Sequence, residues 1–241
     1  MTLAIIGGTG LDSLGLIKAD KQEVVNTPYG EPSSPVTQGT LFGKQVLFLS
    51  RHGYGHNIAP HEVNYRANLW ALKQMGASEV LAVAAVGGIT AAMTPATLVV
   101  PDQLIDYTWG RKSTYFDSDA DEVRHVDFSK PYCGELRQRL LSAAHAAAVT
   151  IVDGGTYGAT QGPRLETTAE ISRMERDGCD MVGMTGMPET VLARELELCY
   201  ATCAIVANWA AGKTEREITM AEIESHLKNA MSSLLGLLEN M

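Results

Sequence analysis

Apolar residues fall along this chain in two rhythms. Short, nearly continuous apolar runs occupy 3–6 (LAII), 45–50 (QVLFLS), 79–86 (EVLAVAAV), 151–157 (IVDGGTY), 180–184 (DMVGM) and 200–207 (YATCAIVA). Runs of this length, bounded by glycine or polar residues, predict buried strands. Longer stretches at 63–75, 131–148, 168–177, 188–196 and 219–239 space their apolar residues at helical intervals and predict helices. Gly76 stops the first of these, Arg137 and Arg139 lie on the polar side of the second, and Pro188 suits the first turn of the fourth. Alternating strands and helices imply an α/β fold with a largely parallel sheet, and such sheets bind ligands where strands run out at their carboxyl ends. The polar and aromatic stretch 106–129 fits neither rhythm, and its length suggests a functional loop.

Composition narrows the class. With 241 residues, 45% of them hydrophobic, the chain is long enough for one domain spanning 1–241 with a sizeable core. A net charge of −9 disfavours nucleic acid as a partner, because backbone-directed binding needs a basic face. The four cysteines, Cys133, Cys179, Cys199 and Cys203, show no CxxC spacing and sit in apolar contexts, which reads as reduced thiols. The start, MTLAIIGGTG, lacks a basic segment followed by a long apolar run, and no stretch is long enough to cross a membrane. The expectation is a cytoplasmic protein with no membrane partner.

Several residues carry candidate chemistry, each beside a plainer reading. Gly7-Gly8-Thr9-Gly10 follows a strand. Glycines let backbone amides converge on an anion, or simply make a turn. A dinucleotide fingerprint would need a further glycine where Ser13 stands. Arg51-His52-Gly53 ends the second run; an arginine fork matches phosphate oxygens, although a strand-end arginine is often only a surface residue. His56 and His61 lack zinc-site spacing and read as loop residues, so no metal is expected. Glu166 precedes a helix and could merely complement its dipole. Thr185 either caps a helix or donates to an anion, and Asn208 ends a strand where its amide needs partners or makes a turn.

Singly these signals are weak, but their order is specific. GGTGL at 7–11, TPYG at 27–30, RHG at 51–53, VNYRANLWALK at 63–73, AAVGGI at 84–89, GPRLET at 162–167 and VGMTGMPETVLARE at 182–195 make the chain resemble the methylthioadenosine phosphorylase and purine nucleoside phosphorylase family almost end to end. The resemblance implies a mixed, partly barrel-like central sheet flanked by helices. It also implies a homotrimer or dimer of trimers, and inorganic phosphate as co-substrate without metal or organic cofactor. Gly8, Thr9, Arg51, His52, Ala85 and Thr185 would surround phosphate, and Met184 would pack under the ribose. Leu165 and Glu166 would face the purine, with Asn208 at its N7 and six-position edge. His125 would reach a neighbouring subunit's site, and Met220 and Ile223 would line the pocket for the 5′ substituent.

The chain also departs from the family's pattern. Ala84 stands where many members carry a hydroxyl, and Leu165 where an aromatic usually faces the base. Asn208-Trp209-Ala210 replaces a segment holding two aspartates in the methylthioadenosine enzymes. Glu166 and Asn208 therefore imply a 6-oxopurine, and Met220 a 5′-methylthio group, as in S-methyl-5′-thioinosine. The alternatives are methylthioadenosine, inosine or guanosine as substrate, a non-catalytic nucleoside-binding protein, and a nicotinamide-dependent oxidoreductase that the broken glycine pattern disfavours.

Overall fold

The computed structural model describes residues 2–8, 17–117, 123–215 and 217–241. The first apolar run forms the central strand β1 (Thr2–Gly7), whose side chains divide by alternation. Ile5 packs in one core cluster with Leu81 and Val83, whereas Ala4 and Ile6 pack in another with Val80 and Ala82. Helices α2 (Gly134–Ala146) and α5 (Met220–Glu239) supply the first cluster. Helices α1 (Tyr65–Gln74) and α4 (Gly186–Glu195) supply the second. Continuous apolar runs suit strands covered on both faces, and each fully buried Leu or Ile contributes about 1.5–3 kcal/mol over exposure.

Strand β4 (Lys44–Ser50) lies parallel to β1, which lies parallel to β5 (Ala77–Gly88). On the far flank of β5 runs β11 (Cys199–Trp209), also parallel. The expectation of a largely parallel sheet needs correction, because four pairings are antiparallel. These join β2 (Lys18–Glu23) to β3 (Val36–Leu41), β3 to β4, β6 (Leu98–Val100) to β11, and β10 (Met181–Gly183) to β5. Among the described residues the result is one mixed 11-stranded sheet flanked by helices, as the family resemblance implies. β2 and β3 escape an apolar-run criterion because β2 is an exposed edge of sequence KADKQE; charged edges discourage pairing with other chains.

Two further expectations change. The run 151–157 is not one strand but two, β8 (Ile151–Asp153) and β9 (Thr156–Ala159), broken at Gly154 and Gly155, whose φ values are 93° and 112°. β8 pairs with β6, while β9 pairs with β10 and with β7 (Gln103–Asp106). The reading of all four cysteines as reduced thiols is also corrected: Cys133 and Cys199 form a disulfide, and Cys179 and Cys203 are free and buried. Cys133 caps α2 and its N–H donates to the Tyr200 carbonyl at 2.8 Å, which brings the cysteine Cα atoms to 5.1 Å. A sequence separation of 66 residues conceals that proximity. Among the described residues no helix is long and apolar enough to cross a membrane.

One irregularity in the sheet prepares the site. The last pairing of β1 is Ile6 with Ala82, and β10 takes up β5 only at Gly87 and Gly88. Between these points no strand of the described residues pairs with that edge of β5, although β11 holds the other flank throughout.

Candidate active site

The gap opens into a cleft of about 450 Å³, and residues 83–87 of β5 form part of its wall. Arg51 leaves the end of β4 and fills the bottom of the gap. Its N–H donates to the Gly7 carbonyl at 2.9 Å, and its Nη1 donates to the Val83 carbonyl at 2.9 Å, on the edge where strand pairing lapses. Nε and Nη2 donate to the two carboxylate oxygens of Glu189 at 2.7 and 2.9 Å. Glu189, on α4, also accepts from the Tyr200 hydroxyl at 2.8 Å. Both partners of this ion pair are 1% exposed. Burial by itself disfavours the guanidinium charge, but the Glu189 carboxylate outweighs it and raises the Arg51 pKa further. Among the described residues three of the five guanidinium N–H groups are thereby used, leaving one on Nη1 and one on Nη2.

Gly8 keeps the space above that guanidinium open. A Cβ there would stand 3.4 Å from Arg51 Nη1 and 3.5 Å from His52 Cδ2. The His52 Nδ1 lies 2.9 Å from the Ile58 carbonyl, which can only accept, so Nδ1 carries the proton. Burial, then the neighbouring Arg51 charge, push the His52 pKa down to about 4. His52 is therefore neutral at pH 7 and presents Nε2 as an acceptor. His56, expected to be an ordinary loop residue, in fact lines the cleft with its ring 4.4 Å from that of His52. His61 lies away from the cleft, 3.9 Å from the exposed carboxylate of Glu62.

The opposite wall comes from the β10–α4 junction. Thr185 precedes α4, whose backbone is non-helical at Met187 (φ −120°, ψ 138°), so the continuous helix begins at Pro188. The Thr185 side chain makes no capping bond, its N–H lies 3.4 Å from the Tyr157 hydroxyl, and it lines the cleft. Ala85 is the one exposed position of β5 and turns its methyl into the cleft. Met184 follows β10 and packs against Gly162, where a Cβ would stand 2.4 Å from the Met184 sulfur. At φ +59° that position suits glycine on backbone grounds as well.

At the other end lie Leu165, Glu166, Asn208 and Ala210. A register shift between Val206 and Asn208 marks a bulge at Ala207 in β11. A bulge resets which face the following side chains occupy, and His226 of α5 holds the bulged carbonyl at 2.8 Å. Asn208 thereby reaches the cleft, with one amide N–H donating to the Trp209 carbonyl at 2.7 Å. Glu166 Oε1 accepts from the Thr160 hydroxyl at 2.6 Å. Ile218, Met220 and Ile223 close the remaining side, though Met220 is 64% exposed.

Among the predicted site residues, the fold brings together Gly8, Arg51, His52, Ala85, Leu165, Glu166, Met184, Thr185, Asn208, Met220 and Ile223. Thr9 lies outside the described residues. His125 is exposed and does not line the cleft within one chain. No group of three His, Cys, Asp or Glu side chains able to hold a metal occurs among the described residues.

Sequence reasoning missed three residues: Glu189, Thr160 and Arg111. Arg111, in the irregular stretch, donates to the carbonyls of Thr160, Gln161, Met184 and Met187 at 2.6–3.1 Å and so ties the segment after β9 to the β10–α4 junction. Glu189 carried a signal, as a carboxylate one residue inside a helix that opens with proline. Thr160 and Arg111 carried none, because their partners are set by chain segments distant in sequence.

A family described as the phosphorylase superfamily matches residues 2–241. The chain belongs to that superfamily. It is 57% identical over 97% of its length, and 94% of the relative's, to a protein of Xanthomonas campestris named "Probable S-methyl-5′-thioinosine phosphorylase". It is 42% identical to the 6-oxopurine nucleoside phosphorylase of Pyrococcus furiosus, covering 98% of this chain and 90% of that one. Among solved structures, this phosphorylase superfamily chain resembles the methylthioadenosine phosphorylase of Schistosoma mansoni in complex with adenine. The TM-score is 0.94 and the identity 33%, covering 100% of this chain and 90% of the other.

Proposed function

We propose that the chain phosphorolyses a purine nucleoside, preferably S-methyl-5′-thioinosine, to hypoxanthine and 5-methylthioribose 1-phosphate. The observation that carries the reading is a two-ended cleft. Unspent N–H groups of Arg51 and the Thr185 hydroxyl stand at one end, and the accept-only Glu166 and the amide of Asn208 at the other. Relatives 54–57% identical that bear the methylthioinosine name support it.

In this reading phosphate lies among Gly8, Arg51, His52, Ala85 and Thr185, and the family resemblance adds Thr9 to them. Because Glu189 already neutralises Arg51, the anion is held mainly by oriented donors. The neutral His52 Nε2 accepts from a phosphate or sugar hydroxyl. A phosphate oxygen then bonds to C1′ as the C1′–N9 bond breaks. The anion beneath the ring stabilises the oxocarbenium-like transition state, and Asn208 donates to N7 as charge builds on the departing base. Met184 sets the ribose in line. Holding phosphate and nucleoside together supplies up to roughly 7–11 kcal/mol of barrier reduction. No protein nucleophile is required.

The 5′ pocket of Met220 and Ile223 is expected to favour a methylthio group over a hydroxyl by roughly 10–200-fold in kcat/KM. Met220→His should narrow that ratio. Equal efficiency of the wild type on inosine and methylthioinosine removes the claim.

The reading includes a homotrimer, or a dimer of trimers, in which His125 of a neighbouring copy completes the 5′ end of the site. His125→Ala is expected to raise KM for the nucleoside and leave that for phosphate unchanged. A fully active monomer in light scattering refutes the shared site.

The test of the whole reading is base release from methylthioinosine, methylthioadenosine, inosine and adenosine, with and without phosphate. Equal release without phosphate makes the enzyme a hydrolase. Faster cleavage of methylthioadenosine makes adenine the preferred leaving base.

A further inference from the structure

We infer that Thr160 is a positioning residue for base selection, acting through Glu166; the inference rests on the proposed function, in which Glu166 faces the purine, and takes N1 as the position it meets. Glu166 is a wall between two clefts. The first is the nucleoside cleft, and the second, of about 440 Å³, is lined on its other sides by Trp109, Gln161, Arg164 and Arg173. Thr160 lines only the second, so its hydroxyl reaches Glu166 from behind, on the side away from a bound base.

The direction of the hydrogen bond follows from the neighbours. The Thr160 hydroxyl has two acceptors in reach, Glu166 Oε1 at 2.6 Å and the Gly183 carbonyl at 3.3 Å. The carbonyl cannot donate, and the shorter contact is to the carboxylate. Thr160 thus gives its proton to Oε1, while Oε2 makes no hydrogen bond among the described residues. The donor is held firmly. The Thr160 N–H donates to the Gly183 carbonyl at 2.8 Å, and the Thr160 carbonyl accepts from Arg111 Nη2 at 3.1 Å. A fixed hydroxyl behind the carboxylate sets its rotation and leaves Oε2 as the acceptor facing the base.

This arrangement distinguishes two classes of purine. A 6-oxopurine offers an N1–H, which the free oxygen of an ionised Glu166 accepts. A 6-aminopurine offers an N1 lone pair, which Glu166 satisfies only by carrying a proton on Oε2. Neutralising the carboxyl weakens the bond from Thr160, because hydrogen bonds to ionised acceptors are roughly twice as strong as neutral ones. Thr160 therefore supports the oxo base more than the amino base.

The test is kcat/KM for methylthioinosine and methylthioadenosine in wild type, Thr160→Val and Thr160→Ser. Thr160→Val removes the donor at nearly constant volume. It is expected to lower methylthioinosine efficiency by roughly tenfold or more, the scale of a lost hydrogen bond to a charged group, and methylthioadenosine efficiency by much less. Thr160→Ser should restore the wild-type ratio. In a Glu166→Gln background the Thr160→Val effect should largely vanish. A structural role alone lowers both substrates in proportion and leaves the ratio unmoved, and that result overturns the inference while the proposed function stands. A wild type that prefers methylthioadenosine overturns both.

Discussion

Arg51→Ala is expected to destabilise the fold by about 3–5 kcal/mol, because it strands the buried Glu189 carboxylate without its cation. It is also expected to slow phosphorolysis by well over a hundredfold and to raise the KM for phosphate, since two charge-assisted donors disappear from the proposed anion site. Arg51→Lys separates the two effects. The ammonium still compensates Glu189, but it cannot donate to Glu189, to the Val83 carbonyl and to phosphate with the planar fork of arginine. Most of the thermal stability should return in Arg51→Lys while the KM for phosphate stays high. A lysine variant with wild-type phosphate KM shows that Arg51 serves only the fold.

The base end of the cleft sets the second large effect. Wild type is expected to favour methylthioinosine over methylthioadenosine by tenfold to several hundredfold, because an unmade buried hydrogen bond costs about 1–3 kcal/mol and more when a charge is involved. The double substitution Asn208→Asp with Ala210→Asp should move the preference toward the amino base. A carboxylate in place of the Asn208 amide can only accept, so it rewards the adenine amino group and repels the six-position oxygen. Ala210 lines the same cleft but is only 3% exposed, so a carboxylate there is costly until an amino group meets it. The measurement is the ratio of kcat/KM values for the two nucleosides. An unchanged ratio in a folded double variant removes Asn208 and Ala210 from base selection.

Much of the candidate site was legible one residue at a time. Arg51, Thr185 and Asn208 each end or follow an apolar run, and strand ends are where such sheets expose side chains. Glu166 stood out as a carboxylate before a helix. Their grouping was not legible from spacing, because Arg51 and Glu189 are separated by 138 residues and meet only through the sheet. Thr160 and Arg111 were invisible for a related reason. A threonine just past a strand and an arginine in a loop are ordinary residues until the fold supplies a carboxylate for one and four carbonyls for the other. The cysteines misled in the same way, since apolar surroundings and the absence of a CxxC motif say nothing about two thiols joined across a helix cap and a strand start.

Local patterning determined the five long helices and the buried central strands, because burial on both faces demands apolar runs and burial on one face demands helical spacing, but not β2, β3, β6 and β7 or the break between β8 and β9. It also determined the residue types available for chemistry and, through their order, the family. Propensity said nothing of strand direction, which depends on pairing; in the sequence only the family resemblance implied the mixed sheet that the tertiary structure shows. Tertiary structure alone decided that the edge of β5 lies open between β1 and β10, and that the bulge at Ala207 brings Asn208 to the cleft. It decided that Arg51 enters the site already paired, leaving two donors instead of five. Hydrophobic rhythm is a property of a segment, whereas a gap between strands and the partners of a buried charge are properties of segments brought together by the whole core.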